Sequence, residues 1–146
     1  KVNECEVVEL EDGRLLLNMR NYDRTQKTRQ RAESLDGGLT WIRQKHDATL
    51  IEPICQASLR RLRWTKGNQP GILMFSNPAS SSQREKLTLR FSWDDGNSWP
   101  QSRLIYAGSS AYSCLAVTKS GAPACLFEVD GYGRILYSKL PMPGNF

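Results

Sequence analysis

The stretch Ser34–Trp41, which reads Ser-Leu-Asp-Gly-Gly-Leu-Thr-Trp, decides the fold because it recurs 58 residues later in Ser92–Trp99, as Ser-Trp-Asp-Asp-Gly-Asn-Ser-Trp. Both copies follow the pattern Ser-x-Asp-x-Gly-x-(Ser/Thr)-Trp. Five matched positions in one short stretch are hard to obtain by chance. Self-similarity of this kind is typical of proteins in which one structural unit is used several times.

Each copy contains the residue types that a tight hairpin turn requires. The carboxylate of Asp36 or Asp94 can accept backbone N–H bonds across the turn, and the glycine two positions later allows a positive φ. The closing tryptophan, Trp41 or Trp99, can pack against the adjoining strands. The sequence therefore predicts two equivalent units, each made of a strand, a turn and a strand.

The remaining chain has the periodicity of β-strands. Apolar and polar residues alternate in segment 87–92 and also in segment 14–20. In the latter, one face has Leu15, Leu17 and Met19, and the other has Asn18 and Arg20. Turn signals separate such runs at Glu11–Gly13, Asp36–Gly38, Lys66–Asn68, Asp94–Gly96, Lys119–Gly121 and Asp130–Gly131. We expect an all-β fold of about ten to twelve short antiparallel strands, each with one buried face.

The composition of the 146 residues is that of a globular domain, with 39% hydrophobic and 24% charged residues. No run approaches the roughly 18 apolar residues of a membrane helix, so no membrane span is expected. The formal charge of +5 favours an anionic partner, such as a carboxylated sugar, a phosphate backbone or an acidic surface. The chain enters a strand-like pattern soon after Lys1, which predicts that it is cut from a longer protein.

Cysteine and histidine usage argues against a metal site. The four cysteines, Cys5, Cys55, Cys114 and Cys125, form no Cys-x-x-Cys pair, and His46 is the only histidine. We expect neither a metal nor a cofactor. The apolar runs around Cys114 and Cys125 predict buried free thiols, and the redox compartment stays open.

The repeated motif resembles the Asp box, or BNR repeat, of sialidases (exo-α-neuraminidases) and related β-propellers. A four-stranded blade needs about 40 to 60 residues, so residues 1–146 correspond to about three blades. Sialidase propellers have six blades. The resemblance therefore implies a single partial domain, the C-terminal half of a sialidase propeller, whose partner is the missing N-terminal half. In that family the Asp boxes are structural and lie on the outer rim.

Three further segments resemble those that supply functional residues in sialidases. Asn3–Leu10, taken with Asn18–Asn21, looks like the segment that supplies a catalytic glutamate and an arginine. Matched position by position, these residues are Glu4 and Arg20.

The other two segments lie later in the chain. Residues 75–92 resemble the segment with another substrate-binding arginine, here Arg84. Ser110–Leu115 looks like the segment with a nucleophilic tyrosine, here Tyr112. Gln56 falls where some sialidases line the substrate pocket.

The chemistry that the resemblance implies suits these residue types. Sialic acid has a carboxylate on its anomeric carbon, which a guanidinium matches with two parallel hydrogen bonds, so Arg20 and Arg84 are expected to bind it. That carboxylate would repel an anionic nucleophile, whereas a neutral phenol avoids the repulsion, and sialidases use tyrosine. The resemblance assigns Tyr112 as nucleophile and Glu4 as its base, in the retaining hydrolysis of sialylated glycoconjugates.

Two parts of a sialidase site have no match in this sequence. They are the first of three carboxylate-binding arginines, in an Arg-Ile-Pro type motif, and the general-acid aspartate. Asp12 and Asp130 lie in predicted hairpin turns and do not replace the acid. The fragment alone is therefore expected to be an incomplete catalyst.

Two other functional classes remain open at this point. One is a non-catalytic Asp-box propeller that binds glycans or proteins. The other is a nucleic-acid binder, for which the basic segment 60–63 beside Trp64 is the best candidate. Leu59 and Leu62 among those charges favour instead a charged strand face at a blade edge, so no nucleic-acid partner is expected.

Overall fold

The computed structural model describes residues 1–144, which form ten β-strands and no helix. The strands are β1 Val2–Glu9, β2 Leu15–Asn21, β3 Thr28–Ser34, β4 Ile42–Ile51, β5 Ser58–Arg63, β6 Ile72–Pro78, β7 Glu85–Ser92, β8 Gln101–Val117, β9 Pro123–Val129 and β10 Arg134–Lys139. The prediction of an all-β fold with ten to twelve strands is confirmed. A search of these residues for a helix able to cross a membrane finds none.

The strands form blades in chain order. The first blade is β1–β4, and β5–β10 follow as one continuous antiparallel array. Strand β8 divides this array, because residues 101–109 pair with β7 whereas residues 110–117 pair with β9. The second blade is therefore β5, β6, β7 and the first half of β8. The second half of β8 forms the third blade with β9 and β10. About three four-stranded blades were predicted. The described residues form two blades with four strands each and one blade with three strands.

Two hydrophobic cores hold the blades face to face. The core between the first and second blades includes Leu16, Leu73 and Phe75, and the core between the second and third includes Met74 and Phe127. Strand β6 supplies alternate residues to both cores, so it is buried on both faces rather than on one as predicted. Burial of each such side chain stabilises the fold by about 1.5–3 kcal/mol.

The faces of β2 differ from the prediction. Asn18 and Arg20 are buried, whereas Leu15 and Leu17 are only half-buried. The reason is that Leu16 packs in the core between the first and second blades, while Asn18 and Arg20, on the same face, bond to Arg29 in β3, Glu4 in β1 and Tyr112 in the third blade. Buried polar side chains are stable there because the neighbouring blade and strand supply their hydrogen-bond partners.

Both Asp boxes connect the third strand of a blade to its fourth, β3 to β4 and β7 to β8, as the repeat predicted. In the first box the backbone N–H of Thr40 donates to Asp36 Oδ1 at 2.9 Å. In the second the backbone N–H of Ser98 donates to Asp94 Oδ1 at 2.8 Å. The predicted role of the aspartates in closing the turn is confirmed.

The two box tryptophans pack differently. Trp99 is buried with its ring centroid 5.7 Å from that of Phe75, whereas 39% of Trp41 is exposed. The difference arises because Trp99 lies between two blades, while Trp41 lies at the outer edge of the first. The predicted packing of the tryptophan against the strands therefore applies fully only to Trp99.

All four cysteines are free. Cys55 and Cys125 are buried, and burial raises the pKa of each thiol to about 11. The prediction of a buried thiol is confirmed for Cys125 but is wrong for Cys114, which is exposed. Cys114 pairs with Leu126, which is 47% exposed, so both lie on the face of the third blade turned away from the core.

Because neighbouring strands are antiparallel, their connections alternate between two ends of the blades. The Asp boxes lie at one end. The connections 22–27, 52–57, 79–84 and 130–133 lie at the opposite end, termed the site end. The bend between the two halves of β8, at residues 109–111, also lies there. The segments from which function was predicted therefore share one end of the molecule.

Candidate active site

The first strands of the three blades lie side by side. The backbone N–H of Leu59 in β5 donates to Glu6 Oε2 in β1 at 2.8 Å. The backbone N–H of Leu115 in β8 donates to the Ser58 hydroxyl in β5 at 3.1 Å. These bonds align the three strands, so their beginnings meet at the site end.

Glu4 occupies a β-bulge near the beginning of β1. Asn3 pairs with Arg20 and Cys5 pairs with Met19, so Glu4 is an extra residue without a partner across the ladder. Its φ is +39°, in the left-handed region that non-glycine residues seldom adopt. Bulges of this kind re-aim a side chain, and this one turns Glu4 toward the neighbouring strands.

Tyr112 lies at a second irregularity, near the beginning of the third blade. The register of β8 against β9 shifts between Ser110 and Ser113. The backbone N–H of Tyr112 then donates to Glu128 Oε2 at 3.0 Å instead of continuing the ladder. The carboxylate of Glu128 thereby fixes the backbone that presents the tyrosine.

Glu4, Arg20 and Tyr112 form one hydrogen-bonded cluster. The Tyr112 hydroxyl donates to Glu4 Oε1 at 2.7 Å, and Arg20 Nη1 donates to Glu4 Oε2 at 2.5 Å. Arg20 Nη1 also donates to the Tyr112 hydroxyl at 3.2 Å. The Glu4–Tyr112 distance is within the roughly 2.6–3.2 Å over which a base can take a proton directly. The catalytic roles of these residues remain predictions.

The cluster sets the protonation states of its members. Desolvation, the largest single effect on Glu4, raises its pKa, but hydrogen bonds from Tyr112 and Arg20 and the charges of Arg20 and Arg84 together lower the pKa below its usual value. The hydrogen bond to Glu4 is the largest effect on Tyr112 and raises the pKa of the phenol. At neutral pH the cluster therefore contains a carboxylate beside a protonated phenol, which is the ground state of a base and its proton donor.

Arg20 keeps donor capacity that the cluster does not use. Its Nε is buried and has no hydrogen-bond partner in residues 1–144. Its guanidinium also lies over the Tyr22 ring, 5.0 Å from the centroid. A buried guanidinium with an unpaired N–H is suited to an incoming anion, because burying that donor without a partner is costly.

A buried ion pair supports the end of the strand that bears Arg20. Arg29 and Glu52, 1% and 0% exposed in their side chains, pair at 3.0 Å. Glu52 Oε1 accepts the backbone N–H of Asn21 at 2.7 Å, directly after Arg20. Arg29 also donates to the side chain of Asn18, which lies in the same strand as Arg20. These contacts hold the backbone directly after Arg20 and the side chain of Asn18 before it.

Arg84 lies beside the cluster without a hydrogen bond to it. Its Cζ is 5.9 Å from the centroid of the Tyr112 ring, and its charge lowers the pKa of Glu4. Its Nη1 donates to the Tyr132 hydroxyl at 2.8 Å, and its Nη2 donates to the carbonyl of Ile54 at 3.1 Å. The structure thus brings the two predicted substrate arginines to the same end, and both contact Tyr112.

Gln56 reaches the same region, but its amide is already bonded. Its Nε2 donates to the carbonyl of Ser113 at 2.9 Å, and its Oε1 accepts the backbone N–H of Ser113 at 3.0 Å. Both ends of the amide thus support the strand that follows Tyr112. A direct contact between Gln56 and substrate remains a prediction.

A cleft of ≈ 270 Å³ opens beside Tyr112. Its lining residues are Gln56, Tyr112, Ser113, Cys114, Leu126, Phe127, Glu128 and Ile135. Neither Glu4 nor Arg20 lines it, so the cleft adjoins the cluster rather than containing it. Within the part of the chain that the structure describes, no group of three or more Cys, His, Asp or Glu side chains could hold a metal ion.

Sequence reasoning missed three residues that hold the cluster in place: Glu52, Glu128 and Tyr132. Glu128 lies in an apolar strand, where a lone charge gave the only available signal. Tyr132 lies in a segment that was interpreted only as a hairpin turn. Nothing in the local pattern around Glu52 indicated a buried charge, because its partner Arg29 is 23 residues away.

The residues set aside as non-functional have structural contacts. In the basic segment, Arg61 Nη2 donates to Asp95 Oδ1 at 2.8 Å, and its Cζ lies 4.1 Å from the centroid of the Trp64 ring. Asp12 and Asp130 both lie in hairpin turns, as predicted, and each accepts a hydrogen bond from an arginine two or four residues later. Strand β5 is an edge strand, as the pattern of charges predicted.

Known proteins are similar to this chain in sequence and in fold. A family model described as a BNR repeat-like domain matches residues 1–125. The chain is 37% identical over 130 residues to a sialidase of Micromonospora viridifaciens, covering 87% of this chain and 20% of that relative. It is 35% identical over 133 residues to a sialidase of Bacteroides fragilis strain YCH46, covering 86% of this chain and 24% of that relative.

A solved structure agrees with these relatives. The Hadza microbial sialidase Hz136 superposes with a TM-score of 0.82 at 35% identity, over 94% of this chain and 27% of the other. The chain thus spans only 20% and 24% of the lengths of the two curated relatives. The family model covers well over half of the chain, and both relatives are sialidases. The chain therefore belongs to the sialidase family with BNR repeats.

Proposed function

We propose that this chain is the C-terminal half of the catalytic propeller of an exo-α-sialidase, which releases terminal sialic acid from glycoconjugates. The observation that carries the proposal is the cluster of Tyr112, Glu4 and Arg20. A phenol that donates to an ionised carboxylate at 2.7 Å, beside a buried guanidinium, has the parts needed to attack a carbon that bears a carboxylate.

In the proposed first step, the Tyr112 oxygen forms a bond to the anomeric carbon while the glycosidic bond breaks. The phenolic proton moves to Glu4 Oε1, and a general acid from outside this chain protonates the leaving oxygen. Water then attacks the anomeric carbon and gives one proton to the general acid, which was deprotonated in the first step, while the bond to Tyr112 breaks and Glu4 returns the proton to the phenolic oxygen. Two displacements on one carbon retain its configuration.

Arg20 and Arg84 are proposed to bind the substrate carboxylate. Among residues 1–144, the buried Nε of Arg20 has no partner, and Arg84 donates two of its five N–H groups to protein oxygens. Their positive charges also hold Glu4 ionised. Substrate binding and base activation are thus proposed to depend on the same two arginines.

The rest of the propeller is proposed to supply the general-acid aspartate and a third arginine. Exposed apolar side chains are available for further blades on the outward faces of the first and third blades. Val7 is 53% exposed in the first, and Leu126 and Ile135 are 47% and 65% exposed in the third. The share of the curated relatives that this chain covers leaves room for those blades.

Hydrolysis of a fluorogenic sialoside by the complete protein tests the proposal. A matched fluorogenic glycoside of a neutral sugar, which lacks the carboxylate, is the control substrate. We expect release from the sialoside alone, with the α-anomer of sialic acid appearing first in the ¹H NMR spectrum. A complete protein that binds sialosides but releases no product would instead be a non-catalytic propeller. A β-anomer as first product would refute the retaining mechanism.

A further inference from the structure

Arg84 is held from two sides by oxygens from separate connections at the site end. Tyr132, between β9 and β10, accepts from Nη1 through its hydroxyl at 2.8 Å. Ile54, between β4 and β5, accepts from Nη2 through its backbone carbonyl at 3.1 Å. A planar guanidinium bonded at both terminal nitrogens has one preferred orientation.

Both residues that supply these oxygens have an unusual backbone conformation. The φ of Ile54 is +59° and that of Tyr132 is +71°. β-branched and bulky residues rarely adopt this left-handed region, because their side chains clash with the backbone. For Tyr132 the hairpin accounts for the conformation: Gly131, with a φ of +60°, and Tyr132 are the central residues of a turn closed by a hydrogen bond from the Gly133 N–H to the Asp130 carbonyl, and a type I′ turn has positive φ at both.

The turn that bears Tyr132 is held by several contacts. The backbone N–H of Asp130 donates to the carbonyl of Ser109 at 3.1 Å. The carboxylate of Asp130 accepts from the Tyr106 hydroxyl at 2.8 Å and from Arg134 Nε at 2.8 Å. These bonds fix the turn against the bend of β8, so the Tyr132 hydroxyl has a defined position.

Tyr132 thus lies at the tip of a defined turn and not in a hydrophobic core. The residue is 61% exposed, and its hydroxyl bonds to Arg84. We propose that Tyr132 is a positioning residue that orients Arg84 for the carboxylate of the substrate. This inference rests on the proposed function, since it assigns Arg84 to carboxylate binding.

The inference predicts an effect on binding rather than on chemistry. Without the Tyr132 hydroxyl, the Ile54 carbonyl is the one acceptor that Arg84 keeps among the described residues, so the side chain is free to adopt other rotamers. Substrate must then order the guanidinium when it binds. Loss of one hydrogen bond of ordinary strength corresponds to a change in affinity of about two- to tenfold.

Tyr132→Phe in the complete protein tests this directly, because it removes one oxygen from an exposed side chain. Tyr137→Phe is the matched control, since Tyr137 is 60% exposed in the same blade and its hydroxyl has no partner in the described residues. We expect Tyr132→Phe to raise KM for a sialoside about two- to tenfold with kcat within about twofold, and Tyr137→Phe to change neither. An unchanged KM in Tyr132→Phe would overturn the inference.

A double-mutant cycle shows whether Tyr132 acts through Arg84. Arg84→Met removes every donor of that side chain. In the Arg84→Met background, Tyr132→Phe should have no further effect on KM. A full additional effect in that background would mean that Tyr132 acts independently of Arg84, and the inference would be wrong.

A second readout separates this inference from the proposed function. If the complete wild-type protein does not hydrolyse sialosides, the proposed function fails, and NMR of the Arg84 guanidinium then decides the positioning role. We expect separate, slowly exchanging Nη signals in the wild type and in Tyr137→Phe, and their merging in Tyr132→Phe. Identical Arg84 signals in all three proteins would contradict the positioning role whatever the activity.

Discussion

The Tyr112 hydroxyl donates a 2.7 Å hydrogen bond to Glu4 Oε1, although the two residues are 108 positions apart in the chain. Glu4 lies at a bulge near the beginning of β1, and Tyr112 lies at a register shift near the beginning of the second half of β8. The first strands of the blades run side by side, so two local departures from regular pairing bring a base and a phenol together.

Replacing Glu4 with Gln should lower the pKa of Tyr112, because the hydrogen bond to the Glu4 carboxylate is the largest effect that raises it. Titration of the tyrosines by ultraviolet absorbance measures the change without any substrate. Glu9→Gln, at an exposed position of the same strand, is the control. A titration curve that Glu4→Gln leaves unchanged would show that the carboxylate and the phenol do not interact in solution.

Replacing Tyr112 with Phe should lower kcat about a hundredfold or more in the complete protein, because the covalent route needs the lost oxygen. Packing should change little, since the ring is kept. Steady-state kinetics measure the effect, with Tyr137→Phe as the control variant. If Tyr112→Phe turns over at the wild-type rate with a retained product, another group is the nucleophile.

Replacing Arg84 with Lys should raise KM about ten- to hundredfold, because the charge remains while the two-pronged match to a carboxylate is lost. The loss in kcat should be smaller unless the contact tightens in the transition state. Arg60→Lys, at an exposed position of β5, is the control and should leave both constants unchanged. A wild-type KM in Arg84→Lys would show that Arg84 does not bind the substrate carboxylate.

The first Asp box should make stability depend on pH in a defined window. Hydrogen bonds from Thr40 and Ser34 lower the pKa of Asp36 from its usual 3.8 to about 2. A lowered pKa in the folded state means that the stabilisation is complete above about pH 4 and is lost as the pH falls through about 2.

Thermal unfolding of the wild type and of Asp36→Asn between pH 2 and pH 6 tests that window. The difference in Tm should be largest above about pH 4 and should shrink as the pH falls toward 2. Glu9→Gln, whose carboxylate accepts no hydrogen bond among the described residues, should follow the wild type throughout. A difference in Tm that is independent of pH would show that the ionised Asp36 does not stabilise the turn.

The fold was predictable because its deciding contacts are local. In each Asp box the carboxylate bonds to a residue four positions later, as Asp36 does to Thr40, so the motif and the turn are the same segment of chain. The alternation of Leu87, Leu89 and Phe91 likewise indicated a buried strand face, and all three are fully buried. Local patterns of this kind need no knowledge of the neighbouring blades.

The parts that were mispredicted depend on contacts between blades or distant strands. Polar side chains on β2 indicated an exposed face, but Asn18 accepts a hydrogen bond from Arg29, and Arg20 donates through Nη1 to Glu4 and Tyr112. Strand β6 is buried on both faces because a blade covers each of them. A single sequence does not reveal which polar residues will find such partners.

The identities of the candidate site residues came from the resemblance, whereas their geometry depends on irregular backbone. A bulge adds one residue to a strand and hardly changes the alternation of polar and apolar residues in the sequence. The direction of the Glu4 side chain could therefore not be predicted. The left-handed backbone of Tyr132 is equally invisible, because that conformation is rare for an aromatic residue.

The most direct test of the central claim, that Tyr112 is the nucleophile, is to trap its covalent adduct. A sialosyl fluoride whose adduct breaks down slowly suits this purpose, because fluoride leaves without protonation by a general acid. The Tyr112 oxygen would bond to the anomeric carbon, fluoride would depart and the phenolic proton would pass to Glu4. Mass spectrometry of peptides from the labelled complete protein should place one sialosyl group on Tyr112 and none on the Tyr112→Phe variant. A label on another residue, or the same labelling of Tyr112→Phe, would contradict the account.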